Sequence, residues 1–397
     1  MLNGKAMKIL YLGDLAPGQT CRMRMRALLR LGHELRGIDT VAPWKDAGWM
    51  ERQWQRRLGK GPIVQQINLN VVKAARDFQP ELIWADKQEY LRAEMLREAV
   101  RHGGRAVHFT PDPYFTLHWK QTRVMDEALQ EFDGFVCCKN YELQAYLRFG
   151  KPVYQMPLGY CDEVHRPISS EDSRWACAVG FLGGWEPRRE QFLSPLAKQG
   201  VNLKVWGSHW DFLRDGRWTP RRQIVLRQLA GHESVRFHQN AILAQCLQGE
   251  EVHGDDYARA LTASQIGLGF LRKVCPDQHT TRTFEIPACG SMLLADRTEE
   301  HLAFFEEGRE AEFFDSAEEL LDKVLFYGEH EIARSRIASA GYQRCLDSRY
   351  AYVHRMKAAV EWVKRKDLGG RKVTEGTLQV IELAFAKKEA LRQKKKS

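Results

Sequence analysis

The stretch "HTTRTFEIPACGSMLLADRTEEHLAFFEEG", residues 279–308, sets one carboxylate, Glu285, between a Thr/Arg-rich turn and a small-residue run that leads into a buried apolar segment. "EIPACG" reads as the start of a helix and "SMLLAD" as a strand, so Glu285 falls near a helix N-terminus. A fixed carboxylate there is a bidentate acceptor for a vicinal diol, and the adjacent helix N–H groups favour an anionic diphosphate. The same placement suits an ordinary residue that favours the helix dipole. A diphosphate also needs cations, and the chain offers Arg188 and Arg189 in "GGWEPRRE", Arg272 and Lys273 after the apolar run "IGLGF", and Arg282. An arginine grips phosphate bidentately and a lysine acts as a point charge. Elsewhere His108, Thr110 and Asp112 cluster in "HFTPDP", where an imidazole or a carboxylate could take a proton from a hydroxyl.

Such groups need a scaffold that brings them together, and the elements around them alternate. "MKILYLGD" is a strand ending at Gly13, and "TCRMRMRALLRLGHEL" is a helix whose Met23, Ala27, Leu28 and Leu31 share a face before Gly32. Strand and helix then follow each other through "ELIWAD", "AEMLREAVRHGG", "RAVHF", "VMDEALQEF", "GFVCC", "YELQAYLRFG" and "PVYQM". After a polar, proline-bearing stretch around residues 157–175 the rhythm restarts with "CAVGFLGG", "REQFLSPLAKQG" and "LKVWGS". It continues through the helix "PRRQIVLRQLAG", the run "SVRFHQ", "DYARALTAS", "IGLGFL", "FEIPACG", "SMLLAD" and "SAEELLDKVLFYG". Strands alternating with helices across short turns specify parallel sheets covered on both faces. The expected architecture is α/β, with two Rossmann-like domains facing a central cleft, at 1–165 and 166–345, and C-terminal helices with a basic tail at 346–397. In such sheets ligands bind beyond the carboxyl ends of the strands.

Composition narrows the classes. The 397 residues are 44% hydrophobic and 28% charged, which supplies a large core and excludes wholesale disorder. No apolar run approaches the ~20 residues of a membrane span, and "MLNGKAMKILYLGD" lacks a signal-peptide core, so a cytoplasmic location is expected. Nine scattered cysteines without a CxxC pair exclude a zinc ribbon and a disulfide framework. The formal charge is +9, yet "AKKEALRQKKKS" at the end carries six Lys/Arg and one Glu, a net of +5 that leaves +4 for the rest. That tail is either a solvated terminus or a contact for an anionic partner such as nucleic acid.

Four stretches together, "LRLGHEL", "MPLGYCDEVHRP", "VGFLGGWEPRRE" and "TRTFEIPACGSMLLAD", resemble the group 1 glycosyltransferases of the GT-B fold. The nearest subgroup is that related to the spore maturation protein CgeB, and the resemblance spans residues 7 to about 360. It implies a nucleotide-sugar donor held by the second domain, with Glu285 accepting the ribose hydroxyls and no catalytic metal or other cofactor. Arg188 and Lys273 fall where it places phosphate contacts, alongside Arg282. Gly13 stands in the loop that faces the donor phosphates, and Gly207, in "VWGSHW", where the backbone approaches the nucleotide. Asp277, eight positions before Glu285, stands where retaining relatives carry a second Glu; His108 and Asp112 stand where relatives touch the transferred sugar or deprotonate the acceptor. Trp185, Trp206 and Trp210 lie near strand ends, where an indole could stack on a base. The implied activity is transfer of a sugar, with retention, to the hydroxyl of an unspecified glycan, small molecule, protein or DNA acceptor. The other readings are a nucleotide-sugar-binding protein without turnover and a nucleic-acid-associated protein, including one that glycosylates modified DNA. "GDDY" at 254–257 lacks the strand-end context of a metal-binding acidic pair.

Overall fold

The computed structural model describes residues 6–102, 104–215 and 240–365. The expected helix "PRRQIVLRQLAG", the run "SVRFHQ" and the basic tail lie outside the described residues. The chain divides into two compact units, Leu158–Ala351 forming the second and the flanking segments the first.

In the first unit a six-stranded sheet contains β1 (Lys8–Gly13), β2 (Glu34–Asp39), β3 (Leu82–Asp86), β4 (Arg105–Thr110), β5 (Gly134–Cys137) and β6 (Val153–Gln155), in the order β2-β1-β3-β4-β5-β6. Every pairing is parallel. Runs such as Leu82–Asp86 and Gly134–Cys137 are buried at every position, as strands covered on both faces must be. The covering helices are α1 (Thr20–Arg30), α2 (Trp49–Leu58), α3 (Pro62–Phe78), α4 (Ala93–Arg101), α5 (Arg123–Leu129) and the short α6 (Leu143–Leu147). The first helix ends at Arg30, at the expected stop before Gly32, whose φ of +84° turns the chain into β2.

The second unit repeats the plan. Its strands are β7 (Cys177–Leu182), β8 (Leu203–Trp206), β9 (Leu247–Gly249), β10 (Ser264–Gly269), β11 (Met292–Asp296) and β12 (Glu312–Phe314), ordered β12-β11-β10-β7-β8-β9 and all parallel. Renumbered from β7 this is the 3-2-1-4-5-6 order of dinucleotide-binding sheets, whose direction of winding reverses between β7 and β10. Its helices are α7 (Pro187–Lys198), α8 (Phe212–Asp215), α9 (Ala241–Gln245), α10 (Gly254–Thr262), α11 (Arg282–Ala288), α12 (Glu299–Phe304), α13 (Ala317–Glu329) and α14 (Glu331–Asp347). Ser316 accepts the Glu319 N–H at 3.1 Å and Thr298 that of His301 at 3.0 Å, so each helix start is fixed by a side-chain cap. The last described helix, α15 (Tyr352–Lys364), belongs to the first unit and packs on α1.

Candidate functional site

The reversal between β7 and β10 is where a sheet of this order leaves a crevice at its carboxyl end. The first turn of α7, which follows β7, carries Arg188 and Arg189, the loop after β10 runs from Phe270 to Thr281, and β11 ends at Asp296. A cavity of about 420 Å³ opens there, lined among others by Arg188, Arg272, Lys273, Asp277 and Asp296. The structure therefore gathers four sequence-predicted residues, Arg188, Arg272, Lys273 and Asp277, around one space.

These cations differ in readiness. Arg188 is fixed: its two terminal nitrogens meet the two oxygens of Asp296, and its guanidinium lies over the Phe192 ring at 4.3 Å. Asp296 also accepts the Leu271 N–H at 2.7 Å, which ties the loop after β10 to the end of β11. Arg272 and Lys273 are exposed and have no ion-pair partner among the described residues. Asp277 accepts a 3.3 Å contact from the Cys275 thiol.

Deeper in the same unit, positive charge crowds. Arg189 donates to the Gly184 carbonyl at 2.7 Å and pairs with Glu186 at 2.9 Å. Burial, with Arg282 and Arg272 adding repulsion against the attraction of Glu186, brings its pKa down to about 10. Arg282 reaches from α11 to the end of β7, donating to the Leu182 carbonyl at 2.7 Å. Burial opposes its charge, but Tyr257 and Glu285 outweigh burial and raise its pKa.

Glu285 itself lies on the first turn of α11, which begins three residues earlier than the sequence suggested. It is buried, and both oxygens face protein donors. Tyr257, on α10, donates to Oε2 at 2.6 Å, and His165 Nε2 stands 3.7 Å from Oε1. The tautomer of His165 follows from its other nitrogen, which accepts the Cys161 N–H at 3.0 Å, so Nε2 carries the proton and points it at the carboxylate. Burial lowers the His165 pKa against the pull of Glu285, which keeps the ring neutral. Burial and then Glu285 push the Tyr257 phenol far up, so it remains a donor. The sequence reading missed both partners. His165 stood in the quoted junction motif "MPLGYCDEVHRP", whereas Tyr257 carried no signal beyond its place after "GDD".

One expectation requires correction, and the other candidates have structural roles. His108 is not a strand-end group: it is 1% exposed inside β4, ringed by Phe132, Phe135 and Tyr146, and burial lowers its pKa to about 4. Asp112 does follow β4, but its carboxylate is paired with Lys120 at 2.9 Å and Lys87 at 3.6 Å. Gly207, at φ +149°, is required by the chain itself, since a Cβ there would lie 2.1 Å from the Gly183 carbonyl oxygen. Gly13 likewise makes room for α1, where a Cβ would stand 3.0 Å from that of Cys21. Trp185, Trp206 and Trp210 are buried, and Trp185 and Trp210 donate to Glu190 and to the Gly183 carbonyl, so they are core residues. Asp255 and Asp256 of "GDDY" occupy the first turn of α10 and pair with Arg166 and Arg259.

One charged network of the first unit was not anticipated. Arg24 pairs with Asp86, at the end of β3, through Nε at 2.7 Å and a second nitrogen at 2.9 Å, and Tyr11 donates to the same carboxylate. All three are within 1% of complete burial, so the pair fixes α1 against the carboxyl end of the sheet.

Residues 188–361 match the glycosyl transferase-like family profile. Among solved structures, Anabaena HepE in complex with UDP-glucose superposes with a TM-score of 0.59 at 14% identity, over 90% of this chain and 99% of that one. Sucrose-phosphate synthase from Thermosynechococcus elongatus gives 0.60 at 12%, over 92% and 100%. The UDP-forming α,α-trehalose-phosphate synthase from Burkholderia vietnamiensis gives 0.55 at 13%, over 90% and 100%. No protein of curated function matches the sequence. The fold is the GT-B fold of glycosyltransferases, two parallel-sheet α/β units of six strands each.

Proposed function

We propose that this protein is a glycosyltransferase that moves a sugar from a nucleoside diphosphate donor to an acceptor hydroxyl, with the second unit holding the donor. The observation that carries the proposal is the convergence of Arg189, Arg282 and Arg272 on the β7/β10 reversal, with Arg188 and Lys273 at the adjoining cavity. Positive charge concentrated at a strand-end crevice is arranged for a polyanion, and a diphosphate supplies one. A profile match over the same residues supports the glycosyltransferase reading, and a neighbour solved with UDP-glucose favours a uridine nucleotide.

In this reading Arg272 and Lys273 reach the diphosphate and stabilise it as it departs, while Arg188 is held ready by Asp296. Glu285 keeps lone pairs beyond those used by Tyr257 and His165, and these accept the ribose hydroxyls. Asp277 lies beside the cations, near the sugar. Transfer proceeds without a catalytic metal, because the cations supply the charge compensation, and retention follows the resemblance to the group 1 enzymes. The CgeB-like affiliation rests on the junction and "FEIPACG" motifs. Asp112 and His108 have different standing: Asp112 is a paired carboxylate at a strand end, and His108 is a core residue.

Turnover is tested by following release of nucleoside diphosphate from UDP-glucose and related donors, with and without simple sugar acceptors, for the native chain and Glu285→Ala. Release that depends on Glu285 supports the proposal. Tight binding without release would leave a nucleotide-sugar-binding protein instead.

A further inference from the structure

The start of α12 is hydrogen-bonded backward in sequence, to the loop after β10 and to α11. Thr298, the cap of α12, donates to the Gln278 carbonyl at 2.6 Å, Glu300 pairs with His279, and His301 meets the Thr283 hydroxyl at 2.8 Å. His301 is 1% exposed, and its ring lies parallel to that of Phe313 in β12, with 5.6 Å between centroids and 5° between planes. Its tautomer follows from its partners. Nδ1 stands 2.6 Å from the Asp296 carbonyl oxygen, which only accepts, so Nδ1 carries a proton. Burial lowers the pKa to about 4, so the ring is neutral and Nε2 accepts the Thr283 hydroxyl. Thr283 is itself buried, and its oxygen accepts the Thr280 N–H at 3.1 Å. One directed chain of hydrogen bonds thus runs from the Thr280 N–H through Thr283 and His301 to the Asp296 carbonyl.

Both ends of this chain belong to the candidate site. The carboxylate of Asp296 holds Arg188 and accepts the Leu271 N–H. Thr283 stands in the first turn of α11 between Arg282, which donates to the Leu182 carbonyl, and Glu285. We propose that His301 is a positioning residue of the donor site, setting the spacing between Asp296, with Arg188, at the diphosphate end and α11, with Glu285, at the ribose end. The inference rests on the donor reading given above for the second unit. A nucleoside diphosphate meets both ends at once, so a small shift of one end against the other costs affinity. An imidazole suits the task because it carries a donor and an acceptor at a fixed separation on one rigid ring.

The test is titration of UDP, GDP and ADP into the native chain, His301→Phe, Thr283→Val, their double variant and Thr283→Ser, at a temperature where circular dichroism shows each folded. His301→Phe keeps a ring against Phe313 and loses both hydrogen bonds. Thr283→Val loses the hydroxyl alone and covers the case in which His301→Phe does not fold. Each should weaken binding of the nucleotide that the native chain takes by about tenfold. The double variant should bind no more weakly than the weaker single variant, because both changes break one chain. Thr283→Ser, which keeps the hydroxyl, should bind like the native chain. Folded variants that melt earlier yet bind as well as the native chain would overturn the proposal and leave His301 a packing residue. So would Thr283→Ser binding as weakly as Thr283→Val. A native chain that binds none of the three nucleotides would overturn the donor reading itself, and this inference with it.

Discussion

Tyr257 donates a 2.6 Å hydrogen bond to Glu285, across two helices, from a phenol that burial keeps protonated. The carboxylate is 4% exposed, so the orientation of its free lone pairs is set by this bond and by the His165 N–H. Tyr257→Phe removes one donor from a buried anion and should cost about 1–3 kcal/mol of stability. Urea denaturation measures that cost. Because the carboxylate remains, nucleotide affinity should fall less than in Glu285→Ala, as a direct titration would show.

Arg188 and Asp296 form the second relationship on which the site depends. Asp296→Leu leaves a mostly buried guanidinium unpaired and the Leu271 N–H without its acceptor, so it should destabilise the protein by about 3 kcal/mol. The double change Arg188→Leu/Asp296→Leu should cost less than the sum of the single changes, since neither charge is then stranded. Equal additivity in denaturation experiments would mean that the pair is not coupled.

Arg272 and Lys273 present the opposite case. Both are exposed and without ion-pair partners among the described residues, so Arg272→Ala/Lys273→Ala should leave the melting temperature nearly unchanged. Affinity for UDP should fall roughly tenfold or more, and affinity for uridine should not, because only the diphosphate meets these charges. Comparing the two ligands by titration checks the assignment.

His108 governs a pH effect. Its folded-state pKa is about 4, against ~6.5 for an unperturbed histidine, so below ~6.5 the unfolded chain binds a proton that the folded chain refuses. The stability present at neutral pH is therefore lost as pH falls from ~6.5 towards 4, by on the order of 3 kcal/mol for this group. His108→Phe, which suits the pocket of Phe132, Phe135 and Tyr146, should remove that part of the acid loss. Stability curves at neutral and mildly acidic pH provide the comparison.

The sheets were legible because a parallel strand is apolar at every position, and "ELIWAD" or "SMLLAD" can be little else. Short polar-edged strands were not: "ELRGID" carries three charges in six residues, and its strand state is imposed by pairing with β1. At the candidate site, Arg188 and Lys273 were recognisable as cations following strands, and Glu285 as a carboxylate at a helix start. Their partners were not, since Tyr257 lies 28 positions before Glu285 and Asp296 lies 108 after Arg188, and no local spacing links them. His108 misled because a histidine in "HFTPDP" reads as part of the turn, whereas β4 extends past it to Thr110. The burial of Gln55 on α2 was equally hidden, because which face of a helix is buried depends on tertiary contacts such as the Ile63 N–H that its Oε1 accepts.

A thermal unfolding screen of the native chain and Glu285→Ala against UDP, GDP, ADP, CMP and dTDP tests for a donor site at Glu285. A ligand at a hundredfold excess over its dissociation constant should stabilise the native chain by ~2.7 kcal/mol. The expected result is stabilisation by one nucleotide family, uridine before the others, that is lost or strongly reduced in the folded Glu285→Ala variant. A folded native protein unmoved by every nucleotide, or a variant stabilised as much as the native chain, would contradict a donor site at Glu285.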